Sequence, residues 1–159
     1  MSNLESRLPL TVFTNGCFDL FHLGHAQFLK QCRALGSRLI VGLNTDDSVR
    51  RLKGPSRPIQ EYAWREAMLR VCELADEVIP LDELTPCDLI GRIRPDVIVK
   101  GPGYSELNMP EAEIVKDYGG QVIILDGPPI STTDIIKRIL HSDSSRESAE
   151  SELVRGFHR

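Results

Sequence analysis

Short, mostly continuous apolar runs alternate with amphipathic segments along this chain, and that alternation constrains the fold more than any other feature. The runs are "LTVFTN" (10–15), "RLIVGLN" (38–44), "EVIPL" (77–81), "DVIVKG" (96–101) and "QVIIL" (121–125). Continuous apolar strands are the mark of a parallel sheet buried on both faces. Between the first two, "HAQFLKQCRAL" puts Phe28, Leu29, Cys32 and Leu35 on one helical face, and Gly36 follows as a terminating glycine. "DDSVRRL" reads as a short helix with acids first and arginines last, the order the helix dipole favours. "EYAWREAMLRVCELA" (Glu61–Ala75) reads as a long helix with Trp64, Met68, Val71, Cys72 and Ala75 near one face. "PCDLIGRI", "PEAEIVKDYGG" and "STTDIIKRIL" (Ser131–Leu140) supply the remaining helices. The expected architecture is α/β: a Rossmann-like, doubly wound, five-stranded parallel sheet. A length of 159 residues fits a single domain, expected over 1–140. The serine- and charge-rich stretch 141–159 reads as a polar, flexible C-terminal tail.

Several function classes recede on composition. The net charge of −4 argues against nucleic acid as a main partner. No apolar run approaches the ~20 residues of a membrane span, and "MSNLESRLPL" has no hydrophobic leader core. Cys17, Cys32, Cys72 and Cys87 are widely spaced and match no zinc or redox pattern. Reduced cysteines in a cytoplasmic protein are the expectation.

In open parallel sheets, ligands bind beyond the carboxyl ends of the strands, where the strand order reverses. The chemically informative residues fall at such ends. After the first strand comes "TNGCFDLFHLGHAQFL", in which His22 and His25 flank Gly24 where a helix begins. Free N–H groups, the helix dipole and two imidazoles three residues apart can all aim at one anion. The alternatives are histidines that satisfy local backbone, or a zinc pair. Asp19 is suited equally to holding Mg²⁺ and to capping the turn. Asn44 follows the second strand and Lys100–Gly101 the fourth. Lys53, Arg57 and Arg65 put positive charge around the "KGPSRP" loop, as a clamp on a triphosphate or as a solvated face. "STTD" reads as a helix cap and as an anion site.

"GCFDLFHLGH" resembles the signature of the HxGH-class, cytidylyltransferase-like nucleotidyltransferases, and "ISTTDIIKRI" resembles their C-terminal element. The likeness covers roughly residues 10–140. Within the class, "RLKGPSRP", "TPCDLIGRIRPDVIVKG" and "YGGQVIILDG" are most similar to the adenylyltransferase that makes ADP-heptose from heptose 1-phosphate. The resemblance implies in-line attack of an acceptor phosphate on a nucleoside triphosphate with release of pyrophosphate. It implies His22, His25 and Lys53 as catalytic residues. It implies a nucleotide pocket from Gly16, Cys17, Phe18, Gly24, His25, Arg65, Lys100, Gly101, Ser131, Thr132 and Thr133. Asp19, Asn44, Lys53 and Arg57 would meet the acceptor, with Asp19 near Mg²⁺ or another divalent cation. ATP and a sugar 1-phosphate are the expected substrates and a homodimer the expected assembly. The second reading is a cytidylyltransferase making a CDP-polyol such as CDP-glycerol. Two departures stand out. Cytidylyltransferases of the class tend to carry an "RTEGIST"-like run, whereas this chain has "LDGPPISTT" without the arginine. The heptose enzymes tend to read "KGGDY" after the fourth strand, whereas this chain reads "KGPGYS" without the acid.

Overall fold

The computed structural model describes residues 9–105, 108–127 and 130–142; most of the expected tail and Pro128–Pro129 lie outside them. The strands are β1 (Thr11–Gly16), β2 (Arg38–Asn44), β3 (Glu77–Leu81), β4 (Val97–Lys100) and β5 (Gln121–Ile124). The helices are α1 (Leu23–Ala34), α2 (Asp46–Lys53), α3 (Tyr62–Val71), α4 (Cys87–Ile93) and α5 (Pro110–Asp117). All strand pairs are parallel, in the order β3-β2-β1-β4-β5. The order reverses between β1 and β4, which opens the ligand crevice of a doubly wound sheet beyond their carboxyl ends.

Side-chain alternation divides the core into two layers. Val12, Leu39, Val41, Leu43, Val97 and Val99 face Leu29 and Cys32 of α1 and Leu69 of α3. Phe13, Ile40 and Ile98, one position out of phase, face Leu89 and Ile90 of α4 and Ala112 and Val115 of α5. The period-two switch along each strand is what lets one continuous apolar run serve both faces.

Three boundaries and one face differ from the sequence expectation. α1 begins at Leu23, so His22 is its N-cap and His25 lies inside its first turn. α2 extends through Lys53 before Gly54, at φ 98°, stops it. α3 ends at Val71, and Glu73 at φ 52° turns the chain away. The apolar stripe of α3 points outward: Trp64 is 63% and Val71 78% exposed, while Arg65 and Leu69 form the inner face. An arginine is buried there because its hydrogen bonds are all supplied from within, as described below.

The chain divides into two compact units at 128/129. The second contains one described helix, α6, over residues 132–142. Ser131 caps it. The Ser131 hydroxyl accepts from the Asp134 N–H at 3.2 Å and donates to the Asp134 carboxylate at 2.7 Å. Thr132 is half-buried and Thr133 exposed in its first turn.

Candidate functional site

The turn from β1 into α1 is held in a strained shape. Phe18 and Leu20 both have φ 47°, a region that costs bulky L-residues roughly 1–2 kcal/mol each. The residue between them fixes this shape. The Asp19 carboxylate is 1% exposed and accepts from Arg57 Nε at 2.8 Å, from the Ile59 N–H at 2.9 Å and from the Gln60 N–H at 2.9 Å. Arg57 Nη2 adds an ion pair at 2.8 Å. The Gln60 side chain then accepts from the Leu20 N–H at 3.1 Å. Burial works against the Asp19 charge, but the two amides and Arg57 outweigh it and hold the carboxyl below its usual range. Asp19 therefore anchors the 57–60 loop to the histidine turn. Gly16 lets the Phe18 ring fold back over the strand end, since a Cβ there would meet that ring at 3.1 Å.

Arg65 ties the same region together from below. Its Nε donates to the Gln60 carbonyl at 2.9 Å. Its Nη1 donates to the Cys17 carbonyl at 2.7 Å and the Asn44 carbonyl at 2.8 Å. Its Nη2 pairs with Asp46 at 2.7 Å, and the side chain is 0% exposed. The expectation that Arg65 holds a triphosphate is corrected on this geometry: a guanidinium that is fully buried and spent on three carbonyls and a carboxylate has no face left for a ligand. Asn44 likewise spends its amide, donating to Ser48 Oγ at 2.9 Å. Asp19 and Arg57 are committed to each other. Among the described residues no group of three His, Cys, Asp or Glu side chains can hold a metal ion. With both Asp19 oxygens taken by N–H donors, the residues at this turn do not fit a protein-bound Mg²⁺.

The histidines behave oppositely. Their rings stack at 3.8 Å between centroids with 21° between planes. His25 also lies 5.3 Å from the Phe18 ring and 5.5 Å from the Phe21 ring. Burial, then His22, then Lys53 push His25 down to about 4, against the opposing pull of Asp19. Burial also lowers His22. Both imidazoles are therefore neutral at pH 7. The His22 backbone N–H donates to His25 Nδ1 at 3.4 Å, which leaves the proton of neutral His25 on Nε2. His22 Nδ1 is the one buried side-chain nitrogen or oxygen among the described residues that lacks a hydrogen-bond partner. Such atoms are uncommon, and this one sits at the N-cap of α1, where His22 and His25 are arranged as a capping box.

The remaining expected residues divide in the same way. Lys53 is exposed, and its charge acts on both His25 and Cys17. Gly24 is buried in the first turn of α1. Burial raises the Cys17 thiol, so it lines the turn in protonated form. Lys100 is buried: its Nζ donates to Asn15 Oδ1 at 2.6 Å and pairs with Glu111 at 2.6 Å. A Cβ at Gly101 would meet only the Phe28 ring, at 4.0 Å. Ser131, Thr132 and Thr133 belong to the second compact unit. Sequence reasoning did not single out Gln60, Asn15 or Glu111. Asn15 carried a usable signal, an amide at the end of a buried strand. Gln60 and Glu111 read as ordinary loop and helix-start polar residues.

Comparisons with known proteins agree with this architecture. A family model for cytidylyltransferase-like proteins matches residues 13–138. The chain is 48% identical over 130 residues to the bifunctional protein HldE of Syntrophotalea carbinolica, spanning 81% of this chain and 26% of that protein. It is 50% identical over 129 residues to HldE of Methylobacillus flagellatus, spanning 80% and 26%. The chain thus spans about a quarter of the length of these curated relatives. A lipopolysaccharide core biosynthesis protein from Thermoplasma volcanium has a similar structure, with a TM-score of 0.60 and 28% identity over 77% of this chain and 98% of that one. Pantothenate synthetase from Thermus thermophilus shares the fold at a TM-score of 0.53 and 13% identity, over 79% of this chain and 58% of that one. On the family match, which takes in both the histidine turn and the sheet, this chain belongs to the cytidylyltransferase-like family.

Proposed function

We propose that the protein is a nucleotidyltransferase that transfers AMP from ATP to a sugar 1-phosphate, with heptose 1-phosphate as the favoured acceptor and ADP-heptose as the product. The observation that carries the reading is the pair of neutral, stacked histidines at the N-terminus of α1, one with an unpartnered buried nitrogen. An acceptor phosphate oxygen attacks the α-phosphorus in line. The new P–O bond forms as the bond to the β-phosphate oxygen breaks, and the electron pair leaves with pyrophosphate. Phosphoryl-type transfer asks the protein for position and charge stabilisation more than for covalent chemistry. A neutral imidazole N–H donates to the developing charge without needing a proton from solvent. Lys53, exposed at the end of α2, adds a cation to the same region. Asp19 and Arg65 act by holding the turn rather than by meeting substrate. Any divalent cation enters as part of the nucleotide substrate, and a homodimer is the proposed assembly.

The likeness to the HldE proteins supports the adenylyl and heptose assignment. The absence of an arginine from "LDGPPISTT" favours ATP over CTP, because a site reads cytosine with placed polar donors. A pyrophosphate-release screen of ATP and CTP against heptose 1-phosphate, other sugar 1-phosphates and glycerol 3-phosphate tests the reading. Release with ATP and heptose 1-phosphate is expected. A clear preference for CTP with glycerol 3-phosphate would replace it with the CDP-polyol reading.

A further inference from the structure

The crevice between β1 and β4 has a charged floor that the histidine chemistry does not use. Lys100 ends β4 and is 5% exposed. Its ammonium lies 2.6 Å from Glu111 Oε1 and 2.6 Å from Asn15 Oδ1. The Tyr104 ring stands over it at 5.2 Å to the centroid, and Tyr104 is 51% exposed. Glu111 lies in the first turn of α5 and is 3% exposed. A buried ion pair seldom adds net stability over an apolar pair of similar volume, so its position at the strand-order reversal invites a ligand explanation.

The free valences of this unit have a definite pattern. Lys100 takes Oε1 and is the one ion-pair partner of Glu111 among the described residues, which leaves Oε2 as an unassigned acceptor; the Glu111 charge also acts on the neighbouring Tyr104 phenol. Lys100 also takes Asn15 Oδ1, the one side-chain hydrogen bond of Asn15 among the described residues, which leaves the Asn15 amide N–H groups as unassigned donors. An acceptor beside a donor matches a hydroxyl group, which both donates and accepts. The loop between β4 and α5 reads "KGPGYS", with no acid before Ser105. Glu111 brings a carboxylate to this floor from the helix instead.

We propose that Glu111 and Asn15, held in place by Lys100, form a hydroxyl-reading subsite for the sugar portion of a substrate, and that Glu111 is a specificity-determining residue. This deepens the nucleotidyltransferase reading and rests on it. The two sources of a sugar hydroxyl are the ribose of the nucleotide and the acceptor sugar phosphate.

Binding calorimetry separates the sources without requiring turnover. Wild type and Glu111→Gln are titrated with ATP, 2′-deoxy-ATP and 3′-deoxy-ATP, and separately with the sugar 1-phosphate and its deoxy analogues. Wild type is expected to lose about 10- to 100-fold in affinity for one deoxy analogue, the scale of a hydrogen bond to a charged group. Glu111→Gln is expected to weaken the parent ligand similarly and to stop discriminating against that analogue. Glu111→Asp, which keeps the charge, should recover part of the discrimination. Lys100→Met, checked for folding by its melting curve, should lose it as well. Retention of wild-type discrimination by Glu111→Gln for both ligand series would overturn the proposal, as would a wild type that discriminates against no deoxy analogue. Absence of pyrophosphate release by a wild type that binds and discriminates would overturn the nucleotidyltransferase reading alone.

Discussion

Two sets of polar side chains surround the end of β1, and they differ in how completely the protein uses them. Asp19, Arg57 and Arg65 are committed within the protein: Asp19 to Arg57 and two backbone N–H groups, Arg65 to three carbonyls and Asp46. His22, His25 and Lys53 are less committed: one imidazole nitrogen has no hydrogen-bond partner among the described residues, and the lysine is exposed. The committed set holds a strained turn in place, and the open set is presented by it. Charged residue types near a crevice thus divide into those that build the site and those that face the ligand. The division should appear as two kinds of mutational effect.

The largest effect is expected at Arg65. Arg65→Met would leave three carbonyls, that of Asn44 buried and those of Cys17 and Gln60 partly buried, and the Asp46 carboxylate without this donor. Removing one member of a buried charged network typically costs about 3–5 kcal/mol. Urea denaturation should show that loss, with nucleotide binding falling only in proportion to the unfolded fraction. A variant of near-normal stability that no longer binds nucleotide would move Arg65 into the open set.

His25 should give the converse. His25→Ala is expected to lower kcat by about 10²- to 10³-fold, the cost of removing one preorganised donor to developing charge. Its melting curve should move far less than that of Arg65→Met. Turnover close to wild type would show that the stacked pair is only structural.

Acid titration probes the same histidine without mutation. His25 sits at about 4 in the fold, below its ordinary 6.5. Between those values the unfolded chain binds the proton and the native chain does not, so stability falls as pH drops from about 6.5 toward 4. With allowance for partial exposure, the loss is on the order of 2 kcal/mol. Above pH 6.5 both states are neutral at this site and it contributes no slope. Urea midpoints at pH 7.5, 6 and 4.5 should follow that course in wild type and flatten in His25→Ala. An unchanged slope in the variant would remove His25 as its source.

The sheet was readable from the chain because burial on both faces writes continuous apolar runs, and each of the five runs became a strand. The histidine turn was readable because glycine, acid and imidazoles cluster at one strand end. What a local reading could not supply was the partner of each charge. Arg65 looked like any arginine on an amphipathic helix, and its four acceptors come from the turn after β1, from β2, from α2 and from the 57–60 loop. The outward stripe of Trp64, Met68 and Val71 misled for the same reason: helical periodicity says which residues share a face, and tertiary hydrogen bonding decided which face turned in. Glu111 became visible only when β4 and α5 were brought together.

Lys53 gives the smallest effect and the finest test of the division. It is exposed, so Lys53→Met should leave stability within about 0.5 kcal/mol. Its charge still reaches the stacked histidines, where it helps hold His25 low. A surface cation near a highly charged triphosphate contributes through a field that salt screens within about 10 Å at 0.1 M. The expected result is roughly a tenfold fall in kcat/KM at low ionic strength, about 1.4 kcal/mol. That deficit should shrink as salt rises, because wild type loses the advantage the variant already lacks. Measuring kcat/KM for wild type and Lys53→Met from low to high salt decides the point. A salt-independent loss would place Lys53 in direct, desolvated contact with a phosphate, and no loss at any salt would leave the histidines as the only open groups at this turn.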